Sequence, residues 1–254
     1  MTITPTPATL PAAVDAAVSA EAAVKVFGRG ETAVRALNGI DVAMERGRFT
    51  AIMGPSGSGK STLLHCLAGL DTLTAGRVVL DGVDLSQLDE RRLTLLRRDR
   101  VGFIFQSFNL VPTLSAADNI TLPLDIAGRR VDRAWYDEVV RVLNLGDRLH
   151  HRPGELSGGQ QQRVAAARAL VSRPAIVFAD EPSGNLDSRS GQELLAFLRD
   201  SVRQHAQTIV MVTHDANAAA FADRVVVLND GVVVDTVDDP TADRILAALA
   251  RLGG

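Results

Sequence analysis

A glycine-rich loop between an apolar run and an apolar helical pattern carries the strongest chemical signal in this sequence. Residues 54–61 read GPSGSGKS and match the phosphate-binding pattern G-x-x-x-x-G-K-[ST] at every fixed position. Glycines leave backbone N–H groups free to cradle phosphate oxygens, and the helix N-terminus that follows adds positive potential. We expect Lys60 to contact the β- and γ-phosphates of a nucleotide and Ser61 to ligate Mg²⁺. The predicted nucleotide-binding residues of this loop are Gly54, Pro55, Ser56, Gly57, Ser58, Gly59, Lys60, Ser61 and Thr62.

Two adjacent carboxylates end a second apolar run, AIVFADE at residues 175–181. Asp180 offers oxygen ligands of the kind that Mg²⁺ prefers and would hold the ion directly or through water. Glu181 is placed to act as general base for a water molecule aimed at the γ-phosphate. Adjacent carboxylates also cap helices, but their combination with a phosphate loop favours metal binding and catalysis.

A histidine ends a third apolar run, TIVMVTH at residues 208–214. A lone histidine is usually structural, whereas at the end of such a strand His214 would contact the γ-phosphate or the attacking water. We therefore include His214 with Glu181 among the catalytic candidates.

The runs that deliver these residues are predicted to be buried strands of one sheet. Residues 49–54 (FTAIMG), 175–180 and 208–214 are continuously apolar and end abruptly, as strands covered on both faces of a parallel sheet do. Because ligands bind beyond the carboxyl ends of such strands, the three runs should deliver their terminal residues to one crevice. Strands that alternate with helical patterns indicate an α/β fold, and Asp-Gly pairs at 81–82 and 230–231 predict two hairpins.

A helical lobe is predicted between Ser115 and Arg152, inserted between parts of the α/β core. Ser115 is a good helix N-cap. One apolar stripe at helical spacing consists of Trp135, Val139, Val142 and Leu143. We interpret this stripe as core packing rather than as a cofactor site.

Another helix opens unusually, in the stretch GELSGGQQQRVAAARAL at residues 154–170. Ser157 and Gln160 form a capping box. The box does not explain Gly158 and Gly159, each of which costs about 1 kcal/mol of helix propensity relative to alanine. Glycine lets a ligand approach the backbone closely, and helix N-termini attract anions. The pattern therefore predicts an anion at the start of this helix.

The composition is that of a globular chain with a sizeable core. The chain has 254 residues, of which 46% are hydrophobic and 22% charged, and a formal net charge of −3. This balance gives no support for nucleic-acid binding, and the arginine-rich residues 91–100 are interspersed with leucines and acids as in a solvated amphipathic helix. The single cysteine, Cys66, excludes an internal disulfide and fits a buried thiol in a reducing compartment. No apolar stretch approaches the ~20 residues of a membrane span.

The first part of the chain has a composition of its own. Residues 1–20 are rich in alanine, threonine and proline and contain neither lysine nor arginine. Because a secretory signal needs a basic region, we interpret them as a flexible tail without chemistry of its own. Residues 21–254 are expected to form a single domain.

Together, these motifs resemble those of the ATP-binding subunits of ABC transporters. The resemblance runs from about Val24 to Asp235, includes LSGGQ at residues 156–160, and keeps the motif order of that family. It implies a P-loop NTPase core with a mainly parallel sheet, an N-terminal antiparallel β subdomain and a helical subdomain inserted at roughly residues 107–156. It also implies ATP and Mg²⁺ as cofactors and Mg²⁺-dependent ATP hydrolysis coupled to transport.

The resemblance assigns three further site residues. Gln106 in FIFQSF matches the glutamine that links Mg²⁺ and water to the helical lobe. It therefore joins Glu181 and His214 as a catalytic candidate, and Ser61 and Asp180 as a metal candidate. Asp187 in SGNLD matches the D-loop, and the resemblance implies that it is a nucleotide-binding residue. Phe27 occupies the place of the adenine-stacking aromatic, where tyrosine is more common and phenylalanine keeps the stacking face.

The family also implies partners. In it, the LSGGQ helix caps the γ-phosphate of ATP that is held by the phosphate loop of the opposite subunit. Ser157, Gly158, Gly159 and Gln160 would then meet an anion in a dimer of two copies of this chain. The resemblance further implies a separate integral membrane permease and a location on the cytoplasmic face of the cell membrane, with no nucleic acid.

Residues 102–124 and 183–188 resemble the branch whose ATPases work with lipoprotein-releasing and macrolide- or peptide-export permeases. Five apolar residues crowd the junction between core and lobe, either as the lining of a groove for a permease helix or as lobe packing. They are Phe105, Phe108, Leu110, Val111 and Leu114. The alternative function is a soluble ABC ATPase of a repair, cofactor-assembly or cell-division complex.

Overall fold

The computed structural model describes residues 15–252, and within them the chain alternates strands and helices. The strands are β1 (Ala16–Phe27), β2 (Val34–Glu45), β3 (Phe49–Met53), β4 (Ala75–Leu80), β5 (Val83–Asp84), β6 (Val101–Phe105), β7 (Ile176–Asp180), β8 (Ile209–Val212), β9 (Arg224–Asn229) and β10 (Val232–Asp238). The helices are α1 (Lys60–Leu67), α2 (Glu90–Arg100), α3 (Ala116–Ile126), α4 (Arg133–Val142), α5 (Gly158–Leu170), α6 (Ser188–His205), α7 (Ala216–Ala219) and α8 (Ala242–Ala250). Among the helices of these residues, none combines the length and apolar character that crossing a membrane requires.

The larger sheet has six strands in the order β10-β9-β3-β8-β7-β6. The five strands from β9 to β6 run parallel, and β10 pairs antiparallel with β9. All of β3 and β8 is buried, as is β7 up to its last residue, Asp180. The three continuously apolar runs are therefore neighbouring parallel strands, and this confirms the predicted α/β fold.

Hydrophobic clusters cover both faces of this sheet. Val177 and Ala179 of β7 belong to a cluster that also contains the apolar residues of α3, α4, α5 and α6. Ile176 and Phe178, which alternate with them, belong to a second cluster with α1 and the smaller sheet. Burial on both faces explains why these strands show no polar alternation in the sequence.

The smaller sheet is antiparallel, with the strand order β2-β1-β4-β5. The prediction that residues 1–20 form a flexible tail is wrong for residues 16–20, because β1 begins at Ala16. Ala17, Val18 and Ala20 are buried in the second cluster, where small apolar side chains fit against the helix of the phosphate loop. Residues 1–14 lie outside the described part of the chain.

Both predicted hairpin turns form. Asp81 and Gly82 have φ angles of 48° and 77°, and Asp230 and Gly231 have φ angles of 46° and 73°. Positive φ at both central residues is the mark of a type I′ turn, whose twist matches the flanking strands.

The lobe between β6 and α5 contains α3 and α4. Ser115 caps α3 in a capping box with Asp118, as its residue type predicts. Trp135, Val139 and Leu143 pack in the core as expected, but Val142 does not belong to their stripe, since 41% of it is exposed. Tyr136 and Val140, one residue beyond Trp135 and Val139, are buried instead, so the buried face of α4 is rotated from the predicted one.

Candidate functional site

The strand register brings the chemical residues to one edge of the parallel sheet. Asp180 at the end of β7 lies opposite Phe105 of β6 and Val212 of β8, and Val212 lies opposite Ile52 of β3. The segments that follow these four strands contain Gly54, Gln106, Glu181 and His214. The crevice expected at the carboxyl ends of the strands therefore contains the phosphate loop, both carboxylates and the histidine.

The phosphate loop wraps around its own lysine. Gly59, the N-cap of α1, has a φ of 98°, and a Cβ at this position would collide with the carbonyl oxygen of Ala36. Lys60 Nζ donates hydrogen bonds to the carbonyl oxygens of Gly54 at 2.9 Å and Pro55 at 2.7 Å. Burial lowers the pKa of Lys60, while the carboxylates of Glu181 and Asp180 act in the opposite direction.

The loop is also held by the turn between β9 and β10, which is itself hydrogen-bonded to the smaller sheet. The carbonyl oxygen of Ser58 accepts a hydrogen bond from Gly231 N at 3.1 Å, and the carbonyl oxygen of Gly231 accepts one from Asn38 N at 2.8 Å. Ser58 Oγ is buried and has no hydrogen-bond partner among residues 15–252. An unpaired buried hydroxyl beside exposed backbone fits a loop that receives phosphate oxygens.

Ser61 and Asp180 form the candidate metal site. Ser61 Oγ donates to Asp180 Oδ1 at 3.4 Å, so a hydroxyl and a carboxylate oxygen lie side by side at this point of the crevice. Within residues 15–252, no group of three or more His, Cys, Asp or Glu side chains is arranged to hold a metal. A hydroxyl and a carboxylate supply oxygen ligands, which suit Mg²⁺. Burial raises the pKa of Asp180, and His65, 3.8 Å away, acts in the opposite direction.

Glu181 is held in a geometry that suits a general base. Its Oε1 lies 2.8 Å from His214 Nδ1, and its Oε2 accepts a hydrogen bond from Thr213 Oγ1 at 3.3 Å. The Glu181 side chain is 18% exposed and that of His214 is 75% exposed. Glu181 has a φ of 47°, which is uncommon for a residue other than glycine.

Gln106 contacts the segment after Glu181 rather than the two metal candidates. Its Nε2 lies 3.4 Å from Asn185 Oδ1, and Asn185 Nδ2 donates to the Gln106 carbonyl oxygen at 3.0 Å. Both side chains are exposed. The metal role of Gln106 stays a prediction, whereas its contact with Asn185 is a feature of the structure.

Two other candidate residues have clear partners within the chain. Phe27 is 45% exposed, and its ring lies 4.9 Å from the ammonium of Lys25, which is itself paired with Asp71 at 2.6 Å. Asp187 Oδ1 caps α6 by accepting from Arg189 N and Ser190 N, and the hydrogen bonds from Ser190 lower the pKa of Asp187. Contact of either residue with nucleotide stays a prediction.

The helix of the LSGGQ stretch begins as predicted, with Ser157 and Gln160 in a capping box. Its two glycines differ. A Cβ at Gly159 would lie 2.9 Å from Ser190 Oγ, so this glycine allows α5 to pack against α6. A Cβ at Gly158 would come no closer than 3.7 Å to Phe108, so packing within the chain does not require glycine there.

Comparisons with known proteins identify the family. A family model described as ABC transporter matches residues 37–184. The chain belongs to the ABC transporter ATP-binding family. An uncharacterized ABC transporter ATP-binding protein of Thermotoga maritima is 46% identical over 211 residues, which are 82% of this chain and 89% of the relative. The macrolide export ATP-binding/permease protein MacB of Marinobacter nauticus is 49% identical over 213 residues, and this cassette spans only 33% of its length.

A solved structure agrees with the fold of the cassette. The ATP-binding cassette MJ0796 of Methanocaldococcus jannaschii, in a dimeric post-hydrolysis state bound to ADP and Pi, superposes with a TM-score of 0.80. The two chains share 40% identity, and the match covers 87% of this chain and 98% of that one. These findings establish an ABC ATPase with the P-loop NTPase fold.

Sequence reasoning missed several residues of this cassette's site. Asn185 lies inside the SGNLD stretch, but the motif alone does not predict its contact with Gln106. Lys25 lies two residues before Phe27, on the same side of a strand, and this spacing is a usable signal. Gln162 lies at helical spacing from the buried alanines 165, 166 and 169, and a polar residue on an apolar stripe is the signal that reveals it.

Proposed function

We propose that two copies of this cassette close around two ATP molecules and use Mg²⁺-dependent hydrolysis to power a separate membrane permease, in export or extraction of a lipoprotein, peptide or macrolide-like substrate. The observation that carries this proposal is the convergence of four strand ends, with Ser61 beside Asp180 and Glu181 beside His214. The proposed location is the cytoplasmic face of the cell membrane.

Each of these residues has a separate proposed role in the reaction. Lys60 and the loop amides bind the phosphates, while Ser61, Asp180 and Gln106 are the proposed holders of Mg²⁺, which neutralises charge on the phosphates when bound. Glu181 takes a proton from the attacking water at Oε1 or Oε2, and His214 holds one of these oxygens. Phe27 offers an exposed aromatic face for the adenine.

The LSGGQ helix is proposed to act on ATP held by the other copy. Ser157 is exposed, and the neighbours of Gly158 and Gly159 come from Phe108, Asn185 and Ser190 rather than from the phosphate loop. An open helix N-terminus with a glycine that packing does not require fits an anion from outside the chain. The solved relative is a dimer bound to ADP and Pi, which supports the pairing of two copies that this proposal needs.

Mixing two defective variants tests this shared site. In a Glu181→Gln background, Lys60→Ala removes the lysine from both phosphate loops and Ser157→Arg blocks both helix N-termini. We expect neither variant to dimerise alone with Mg-ATP, and we expect their mixture to form a heterodimer with one intact site by size-exclusion chromatography. Circular dichroism checks that both variants are folded, since loss of a cap alone costs about 1 kcal/mol. Dimerisation of the Ser157→Arg variant by itself contradicts capping by the opposite copy.

The permease part of the proposal is supported by the relatives. The Thermotoga relative is an ATP-binding protein that this chain covers almost completely, while MacB is named as both ATP-binding protein and permease. A groove of about 270 Å³ lies between β6, α5 and Pro123 of α3, and its lining includes Phe103, Phe105 and Arg168. It has the size for side chains of a permease helix. Phe105 thus lines the groove, while Leu110 packs against the core.

Capture from detergent-solubilised membranes, followed by reconstitution, tests the coupling. We expect an integral membrane protein to co-purify with the cassette and to change its ATPase rate in lipid vesicles. Pro123→Glu should abolish both effects by placing a charge in the groove, whereas Ile126→Glu, on the same helix at an exposed position, should keep them. Binding to DNA or to a soluble assembly scaffold instead would favour the repair, cofactor-assembly or division ATPase.

A further inference from the structure

One buried side-chain amide of α5 joins two segments of the catalytic site. Gln162 is fully buried, although glutamine is mostly found at protein surfaces. Its Nε2 donates to the carbonyl oxygen of Phe105 at 3.3 Å and to that of Pro182 at 2.7 Å. Phe105 directly precedes Gln106, and Pro182 directly follows Glu181.

The orientation of this amide is determined by its partners. Two carbonyl oxygens face it, and only the NH₂ end of a glutamine supplies two donors. The Oε1 end is buried without a hydrogen-bond partner among residues 15–252. An unpaired buried acceptor destabilises the fold, so filling a cavity does not account for glutamine at this position. The two donors do account for it.

The joined segments hold backbone conformations that need support. Glu181 has a φ of 47°, and Phe108 and Asn109, shortly after Gln106, have φ values of 57° and 48°. Such conformations persist where the surrounding structure holds them, and they concentrate at functional sites. Arg168, nearer the C-terminus of α5, donates to the carbonyl oxygens of Phe108 and Asn109 at 2.9 Å and 2.6 Å. Helix α5 therefore holds the Gln106 segment on both sides of Gln106.

We propose that Gln162 is a positioning residue for ATP hydrolysis, which holds the segments of Gln106 and Glu181 against each other from the helix that begins at Ser157. Gln162 thus connects α5 to the segments of Glu181 and Gln106 in its own chain. In the proposed dimer, the N-terminus of the same helix meets ATP held by the second copy. The proposal rests on the proposed roles of Gln106 and Glu181, but not on the permease.

Gln162→Met tests the proposal, since methionine has a similar volume and no donors. With saturating Mg-ATP we expect kcat to fall by about 10–100-fold, because misplacement of catalytic groups by about 1 Å has effects of this size. The Kd for ATP, measured by calorimetry, should stay within about twofold because the phosphate loop is untouched. In Gln162→Asn the side chain is shorter, so its amide does not reach both carbonyls. This variant should also lower kcat and leave the Kd for ATP unchanged, and it replaces the methionine variant if that one does not fold.

Gln207→Met is the matched control. Gln207 Nε2 also donates to two carbonyl oxygens, those of Pro174 and Thr208, but near the opposite ends of β7 and β8. A purely structural role predicts that both methionine variants lower the Tm and leave kcat intact. The proposal is overturned if a folded Gln162 variant keeps kcat within about twofold of the wild-type value, or if its ATP affinity falls as much as its kcat.

A double-mutant cycle with Gln106→Ala identifies the path of the effect. If Gln162 acts through Gln106, the loss in kcat from Gln162→Met shrinks when Gln106 is already absent. An undiminished loss overturns this part of the proposal. Glu181→Gln, tested alone, separates the two ideas: wild-type activity there refutes the base, whereas an inactive Glu181→Gln beside a fully active Gln162→Met refutes only the positioning role.

Discussion

Replacement of Glu181 by glutamine is the most direct test of the hydrolytic site. Glutamine keeps the length and planarity of the side chain and keeps one oxygen, so a contact with His214 Nδ1, now at 2.8 Å, can persist. What it loses is the ability to accept a proton from water. The substitution therefore removes one chemical function and very little volume.

The expected size of the effect follows from that function. Loss of general-base catalysis reduces rates by about 10²–10⁴-fold, which corresponds to about 3–5 kcal/mol of transition-state stabilisation. ATP affinity should persist because Lys60, Ser61 and Asp180 keep their positions. Removal of a negative charge beside the phosphates also does nothing to weaken their binding.

Phosphate release under saturating Mg-ATP measures the rate, and calorimetry measures the affinity. Glu138→Gln is the control, since Glu138 pairs with Arg141 on the surface of the lobe and lies outside the site. We expect wild-type hydrolysis in the control and persistent ATP-bound dimer in Glu181→Gln. Hydrolysis at the wild-type rate by Glu181→Gln would refute the assignment of this residue as the base.

Three further predictions follow from the same geometry. Lys60→Ala should weaken ATP binding itself, measured by calorimetry, because the ammonium balances the phosphate charge before any chemistry; unchanged affinity counts against the loop. Asp180→Asn should abolish Mg²⁺-dependent hydrolysis yet raise the Tm of the ligand-free chain at pH 7. Burial raises the Asp180 pKa, so its contribution to stability is present at low pH and lost as pH rises through the folded pKa. Cys66, whose thiol pKa is raised by burial to about 12, should react with iodoacetamide at pH 8 only after unfolding.

The features that the sequence predicted well are those with local causes. A few adjacent residues determine the phosphate loop, the hairpin turns at Asp81 and Asp230, the N-cap at Ser115 and the capping box at Ser157. Continuous burial of β3, β7 and β8 is also visible along the chain, because strands covered on both faces need apolar residues throughout. The parallel pairing then follows, and with it the common edge of the site.

The features that it missed depend on contacts between distant segments. Residues 16–20 look like tail by composition, but β1 is a strand because its alanines pack against β2, β4 and α1. Val142 fits the helical spacing, yet it faces away from the core because Tyr136 and Val140 take the buried face. Gln162 meets Phe105 across 57 residues of sequence, and no local pattern reveals such a partner.

The phosphate site destabilises the chain that carries it. Burial disfavours both the protonated form of Lys60 and the ionised form of Asp180, and their pKa values move toward neutrality as a result. The left-handed backbone conformation at Glu181 lowers the stability of the folded chain by about 1–3 kcal/mol more. Phosphate is the natural counter-charge for the lysine and a divalent cation for the aspartate, so a ligand that contains both relieves both penalties at once. Binding at 100 times Kd adds about 2.7 kcal/mol of stability, and the Tm should therefore rise with Mg-ATP and much less with ATP in EDTA.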